Sequence, residues 1–227
     1  MRSAATAVLL GAAVLLAACG GSSSNGEASK APAQIVKDAQ SAATAAGAVH
    51  VSGTVTTGGT SVGVDLHLVG DNHAKGHLTV SGFGIDVVRV GDTVYIRGSK
   101  AFYTKFAGAT AAALLNGKWL SGAATTGSFA SFEQLTDMKT FFSGMLGSHG
   151  TLAKGKEATV AGQKAIAIDD TTKGGTLYVA TTGKPYPVEL TKTGSTSDKG
   201  TVTFTDWDKT TTVTAPKGAV DLSALGG

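Results

Sequence analysis

The chain has little cysteine and little charge: one cysteine, at Cys19, and charged residues at only 15% of positions. A lone cysteine excludes a disulfide framework and a cysteine-based zinc site. No run of Lys or Arg exceeds two residues, so the sequence lacks the electrostatic footprint of a nucleic-acid binder. Stability must therefore come from a hydrophobic core, for which the chain is long enough.

Recognisable catalytic motifs are also missing. The sequence has no Gly-x-Ser-x-Gly elbow, no Walker pattern, no His-Glu-x-x-His and no Gly-x-Gly-x-x-Gly between a strand and a helix. His73 and His77 straddle the start of a strand and would not share a helical face. Asp169 and Asp170 are adjacent on a strand and would point to opposite faces. We expect no enzymatic activity, no cofactor and no metal site.

Residues 1–18 have the zones of an export signal: Arg2, then an apolar run too short to span a bilayer, then small residues. Leu16-Ala17-Ala18-Cys19 resembles the lipobox of bacterial lipoproteins. The resemblance implies cleavage before Cys19 and acylation of its sulfur, with acyl chains such as palmitate. An ordinary secretory signal with an incidental cysteine is the alternative.

The rest of the chain divides into a tether and one domain. Residues 19–31 are rich in Gly and Ser without apolar periodicity, which predicts a flexible tether. Residues 32–227 are expected to form a single domain, with a helical insertion at about 101–150. Pro32 opens a helix that runs to about Ala46.

Alternating apolar and polar residues predict roughly ten strands on either side of the insertion. Gly-rich turns without intervening helices favour an antiparallel, strongly curved sheet in an α+β, mainly β fold. The last strand is expected at Thr212–Thr214. In the insertion, Ala109–Leu115 predicts a helix, and Ser131-Phe132-Glu133-Gln134 fits a capping box that would begin a second one.

The order of these elements resembles the LppX/LprG/LprA/LprF family of actinobacterial lipoproteins. The residues that carry the resemblance include Val49-His50-Val51-Ser52-Gly53, Gly117-Lys118-Trp119 and Tyr186-Pro187-Val188-Glu189-Leu190. It implies a LolA/LppX-like half-barrel covered on its concave face by helices. It further implies an apolar cavity that takes lipid or glycolipid acyl chains and carries or presents them in the cell envelope.

Parity along the strands and periodicity along the helices select candidate cavity residues, although the same residues could simply fill a core. On the sheet the candidates are Val64, Leu66, Val80, Val87, Val94, Ile96, Ile168, Val179 and Leu190. On the helical cover they are Phe106, Leu114, Leu115, Leu135, Met138, Phe142 and Met145.

We thus expect a monomer anchored through acylated Cys19 at the outer face of the plasma membrane. Its partners would be a lipid or glycolipid and an envelope transporter. A ligand-free scaffold or sensory lipoprotein that binds another envelope protein is the competing hypothesis. An envelope hydrolase is disfavoured because no nucleophile and base are recognisable.

Overall fold

The structure, a computed structural model, describes residues 23–125, 127–193 and 199–222. The signal peptide and Cys19 lie outside these ranges. The strands are β1 Ala48–Thr57, β2 Thr60–Val69, β3 His73–Val80, β4 Phe83–Val90, β5 Thr93–Gly98, β6 Leu120–Ala123, β7 Leu152–Val160, β8 Gln163–Asp170, β9 Thr176–Ala180, β10 Pro187–Lys192, β11 Lys199–Thr205 and β12 Val220–Asp221.

These strands form one curved sheet in the order β12-β6-β5-β4-β3-β2-β1-β11-β10-β9-β8-β7. β12 pairs with β6 in parallel, whereas the other neighbouring strands pair antiparallel. The crossover between β1 and β11 joins the first run of strands to the second. The predicted mainly antiparallel, curved sheet is confirmed.

Glycine lets neighbouring strands approach closely at two positions in the sheet. A Cβ atom on Gly53 would lie 2.1 Å from the carbonyl oxygen of Thr201. On Gly76 it would lie 2.0 Å from the carbonyl oxygen of Asp65. Both distances are far below van der Waals contact, so these strand positions require glycine.

Four helices accompany the sheet: α1 Pro32–Thr44, α2 Lys100–Leu115, α3 Glu133–Thr136 and α4 Met138–Gly147. α1 and α4 pack against each other, and α1 also contacts β7, β9 and β10. Pro32 stands in the first turn of α1, where its missing N–H is no loss, and Ile35, Val36, Ala39 and Ala43 form its buried stripe. No helix among the described residues is long and apolar enough to cross a bilayer.

The predicted capping box at Ser131 is wrong. The residue before α3 is Phe132, whose side chain caps nothing, and α3 ends after a single turn. Asp137 then adopts an extended conformation and accepts a hydrogen bond from the Thr140 N–H at 2.8 Å, so α4 begins there instead. The predicted single helix is therefore two helices, and Asp137 rather than Ser131 supplies the acceptor that caps the longer one.

Two further expectations need correction. The predicted helical insertion at 101–150 contains the strand β6, which pairs with β5 and extends the sheet. Thr212–Thr214 is not a strand; Thr212 instead offers its carbonyl to the Lys75 ammonium at 2.9 Å. Alternating threonines predict a strand only if a sheet edge is free to receive them.

The described part of the predicted tether is docked on the domain. Asn25 donates its backbone N–H to the Thr181 carbonyl at 2.9 Å, and its side-chain amide binds the Ala180 and Gly183 carbonyls. Lys154 donates to the backbone of Ala28 and Lys30. Polar composition predicted flexibility, but these hydrogen bonds hold the segment against β9.

The hairpin turns define two ends of the sheet. The end that we call the Ser24 end carries the turns at 70–72, 91–92, 161–162 and 181–186, and Ser24 bridges to Thr182 there. The opposite end, which we call the distal end, carries the turns at 58–59, 81–82 and 171–175. The strands and the buried core residues lie within residues 23–222, so a chain beginning at Gly20 retains them.

Asp208 joins three segments at the Ser24 end. Its carboxylate accepts hydrogen bonds from the Gly47 N–H at 2.9 Å, the Lys184 ammonium at 2.9 Å and the Tyr186 hydroxyl at 2.7 Å. The bond from Lys184, followed by those from Gly47 and Tyr186, lowers the pKa of Asp208 to about 2. Tyr186 in turn stacks on Trp207, with 4.3 Å between ring centroids.

Replacing Asp208 with Asn should reduce stability in a pH-dependent way. Because the folded pKa lies below the ordinary value of 3.8, the carboxylate stabilises the fold above about pH 4 and loses that effect as the pH falls towards 2. Asp208→Asn should therefore lower the free energy of unfolding by about 1 kcal/mol at neutral pH, allowing for its exposure. Urea unfolding from pH 7 to pH 2 checks this.

The difference between wild type and Asp208→Asn should shrink below about pH 4. Asn tolerates the left-handed backbone at Asp208, where φ is 61°. Asp206 has a similar φ of 53°. Asp71→Asn, in an exposed turn, is the matched control and should leave the profile unchanged. A difference that stays constant down to pH 2 would contradict the assigned role.

Candidate functional site

An apolar groove of about 520 Å³ lies between α4 and the inner face of the sheet. The strands β1, β2, β10 and β11 form its floor, and the residues of α3 and α4 that face these strands form its wall. Its lining residues are Val51, Val55, Val62, Val64, Gln134, Leu135, Thr140, Phe141, Gly144, Met145, Leu190, Lys192, Gly200 and Val202. We call this space the groove.

A smaller pocket of about 250 Å³ adjoins the groove at the distal end. We call it the side pocket. Met145, Leu190 and Lys192 line both spaces, so the two are adjacent. Its other lining residues come from α1, the end of α4 and the loop after it, the strands β7 to β10 and the β8–β9 turn: Val36, Leu146, Ser148, His149, Leu152, Ile168, Asp170, Lys173, Gly174, Gly175, Leu177 and Thr191.

α4 is attached to the sheet by one face and forms the groove with another. Met138, Phe142 and Leu146 are buried on the attached face. The Phe142 ring lies 5.4 Å from Phe204 and 5.3 Å from Trp207. Helical spacing then turns Phe141, Gly144 and Met145 towards the groove.

A buried ion pair holds the start of α4. Arg89 on β4 is 4% exposed, and its Nη1 atom lies 3.7 Å from the Asp137 carboxylate. Its Nε donates to the Gly91 carbonyl at 3.0 Å, whereas Nη1 has no hydrogen-bond partner. Asp137 therefore both caps α4 and faces a buried positive charge.

The distal end of the groove is cationic. Lys192 is exposed and lines both spaces, and Lys173 donates to the Ser148 hydroxyl at 2.8 Å beside the side pocket. Asp170 is occupied with the loop: it accepts hydrogen bonds from the Gly150, Thr172 and Lys173 N–H groups. These bonds, that of Gly150 first and that of Lys173 second, lower the pKa of Asp170.

The structure brings some predicted cavity residues together and separates others. Val64, Leu135, Met145 and Leu190 line the groove, and Ile168 lines the side pocket. Six others are not among the lining residues of either space and are buried in the core: Leu66, Val87, Val94, Met138, Phe142 and Val179. Three more line neither space but pack, half-buried, against that core: Val80, Ile96 and Leu115.

Phe106 and Leu114 also line neither space, and both are largely exposed. Gly108, with φ at 85°, interrupts α2 between them. The kink breaks the regular helical spacing on which their assignment rested. α2 is moreover apolar around most of its circumference, so spacing alone selects no inner face.

Several lining residues were missed, although the sequence contains their signal. Val51 and Val55 alternate on β1, and Val62 precedes Val64 on β2 with the same parity. Val202 has the same parity as the buried Phe204 on β11. Gly144 carries no such signal, because its contribution is the absence of a side chain.

The described histidines and carboxylates do not build a metal centre. No group of three or more His, Cys, Asp or Glu within the described ranges is arranged to hold a metal ion. His50 stacks on His67, with 4.3 Å between centroids, and binds Asp65 through Nε2 at 2.7 Å. Burial first, then the electrostatic effect of the neighbouring His50, lowers the pKa of His67.

Solved structures of two mycobacterial lipoproteins are among those that share this architecture. The lipoprotein LprF from Mycobacterium bovis aligns with a TM-score of 0.56 at 16% identity, over 87% of this chain and 100% of that one. LppX from Mycobacterium tuberculosis aligns with a TM-score of 0.54 at 15% identity, over 81% and 98%. The chain has the LppX-like fold. At this identity the likeness concerns the fold alone, which confirms the predicted fold class.

Comparisons of sequence add nothing to this likeness. No protein-family model matches the chain, and no curated protein matches it. The likeness to LprF and LppX is therefore one of three-dimensional architecture.

Asp137→Asn should destabilise the fold while keeping the cap of α4. Asn remains a good N-cap acceptor but leaves the buried Arg89 without an opposing charge. We expect the free energy of unfolding to fall by about 2 to 4 kcal/mol in urea denaturation. Asp206→Asn removes an exposed pair with Lys209 and should change it by less than about 1 kcal/mol. Equal effects of the two substitutions would contradict the importance of the buried pair.

Proposed function

We propose that this protein binds the acyl chains of a lipid or glycolipid in the groove and carries or presents them in the cell envelope. The observation that carries the proposal is the groove itself. It is lined mainly by aliphatic and aromatic side chains, and its volume of about 520 Å³ lies within the range of ligand sites. Burying an acyl chain there removes apolar surface from water, worth about 25 cal/mol per Å².

The position of the polar groups supports a lipid as the ligand. The groove floor between Val51 and Val64 is apolar, whereas Lys192 stands at the distal end. An amphipathic ligand could bury its chains along the valines and leave an anionic headgroup beside the ammonium. The nearby Asp170 carboxylate accepts hydrogen bonds from three backbone N–H groups. These bonds occupy it in holding the loop, so we assign it no acid–base role, and the site is better suited to binding.

Filling the groove at Gly144 tests the proposal. Gly144 is exposed on α4, and a Cβ added there meets no atom within 4 Å. Gly144→Phe should therefore leave the fold intact while its ring occupies the groove. The chain beginning at Gly20 is purified from a bacterial host, extracted with organic solvent and analysed by mass spectrometry. We expect stoichiometric lipid from wild type and at least about tenfold less from Gly144→Phe.

Two variants control for bulk and for backbone effects. Ser143→Phe places the same ring on an exposed position of α4 that does not line the groove, and Gly144→Ala adds only a methyl group. Both should retain lipid. Recovery of a stable, lipid-free wild-type chain that also fails to take up pyrene-labelled phosphatidylglycerol would contradict the proposal and favour the scaffold alternative.

We also propose that acylated Cys19 anchors the protein to the outer face of the plasma membrane. Ser24 is docked on the sheet five residues after Cys19, which limits the distance between them to about 17 Å. Two acyl chains on one residue would hold the domain firmly.

Replacing Cys19 with Ala should release the protein from membranes. The substitution removes the sulfur that would be acylated, so the protein should move from the detergent phase to the aqueous phase, or stay uncleaved. Detergent partitioning of the full chain, with Ser22→Ala as the matched control, measures this. Unchanged partitioning of the Cys19 variant would refute the anchor.

A further inference from the structure

The surface of α2 is apolar, exposed and uncovered. Only Tyr103 and Ala112 of this helix are buried, and each residue from Thr104 to Thr110 is exposed. Phe106 is 53% exposed and Leu114 63%, and they are the two exposed large hydrophobic side chains among the described residues. A helix that is apolar around most of its circumference is ordinarily covered by something.

The charges carried by this segment are all positive. No Asp or Glu occurs between Thr93 and Phe132, whereas Lys100, Lys105 and Lys118 do. None of these lysines forms an ion pair with a described residue. Exposed Phe and Leu beside unpaired lysines are the combination by which interfacial helices bind anionic lipid.

α2 also lies at the distal end of the sheet, where the groove meets the side pocket. β5 ends there at Gly98, the chain returns there through Asn116, and both residues line one shallow depression. The Gly108 kink folds the helix back between these points. The exposed helix and the cationic end of the groove are thus on the same end of the sheet.

A strip of apolar side chains connects α2 to the groove. Val62 in the groove pairs across the strands with Val80, and Val80 pairs with Phe83; all three are half-buried. The edge of the Phe83 ring then meets Phe106, with 5.9 Å between centroids. An acyl chain moving between α2 and the groove would remain in contact with apolar surface.

We propose that α2 docks on the surface of an anionic lipid bilayer. Phe106 and Leu114 enter the boundary between headgroups and acyl chains, while Lys100, Lys105 and Lys118 lie beside the lipid phosphates. This docking surface is separate from the Cys19 anchor and does not depend on the groove. Only the strip's use as an entrance for acyl chains rests on the proposed function.

Vesicle flotation tests the docking surface. The chain beginning at Gly20, which lacks the acylated cysteine, is mixed with vesicles of phosphatidylcholine alone or of phosphatidylcholine with phosphatidylglycerol. We expect it to float with the anionic vesicles and to be released by high salt. Phe106→Ser with Leu114→Ser should weaken binding at least about tenfold, and Lys100→Gln with Lys105→Gln about tenfold.

The controls separate this surface from general charge and from the groove. Lys156→Gln with Lys164→Gln makes the same change of charge on exposed positions of β7 and β8, and should leave binding unchanged. Gly144→Phe should reduce lipid loading but not flotation. At low vesicle concentration the α2 variants should reduce flotation but not lipid loading. Failure of the wild-type chain to float, or flotation unaffected by both α2 variants, would overturn the proposal and leave α2 to a protein partner.

Discussion

The packing of Phe142 against Phe204 and Trp207 determines the relation between α4 and the sheet. The ring is fully buried and makes both contacts at about 5.3–5.4 Å. Because α4 is a short helix attached along this one face, its neighbouring face stands over the open inner surface of β1 and β2. The Arg89–Asp137 pair then fixes where the helix begins. The groove follows from these two attachments.

The sheet offers more apolar inner surface than the helices cover. α1 packs on α4 and contacts β7, β9 and β10. On the other half of the sheet, Leu66 and Leu68 of β2 and Val87 of β4 are also fully buried. Towards the distal end, Val55, Val62 and Val64 remain half-buried. Leaving such surface against water is unfavourable, which is the physical reason to infer an apolar ligand rather than an incidental cleft.

Features set by neighbouring residues could be predicted from the sequence, whereas features set by contacts between distant residues could not. Alternation along each strand assigned Leu66, Val87 and Val179 correctly to the inner face, because parity is a local property. It could not separate a core side chain from a groove side chain, since that depends on where α4 ends. The start of α4 was missed because Asp137 is selected by Arg89, almost fifty residues earlier, and the docking of Asn25 depends on carbonyls of β9 and its turn.

Anomalous diffraction would test the acyl-chain groove most directly. Crystals of the chain beginning at Gly20, loaded with a phospholipid whose acyl chains carry bromine, would reveal the position of those chains. We expect bromine peaks between α4 and the sheet, within contact of Val64 and Phe141. Saturated crystals with peaks only at other surfaces, or with a groove filled by solvent alone, would contradict it.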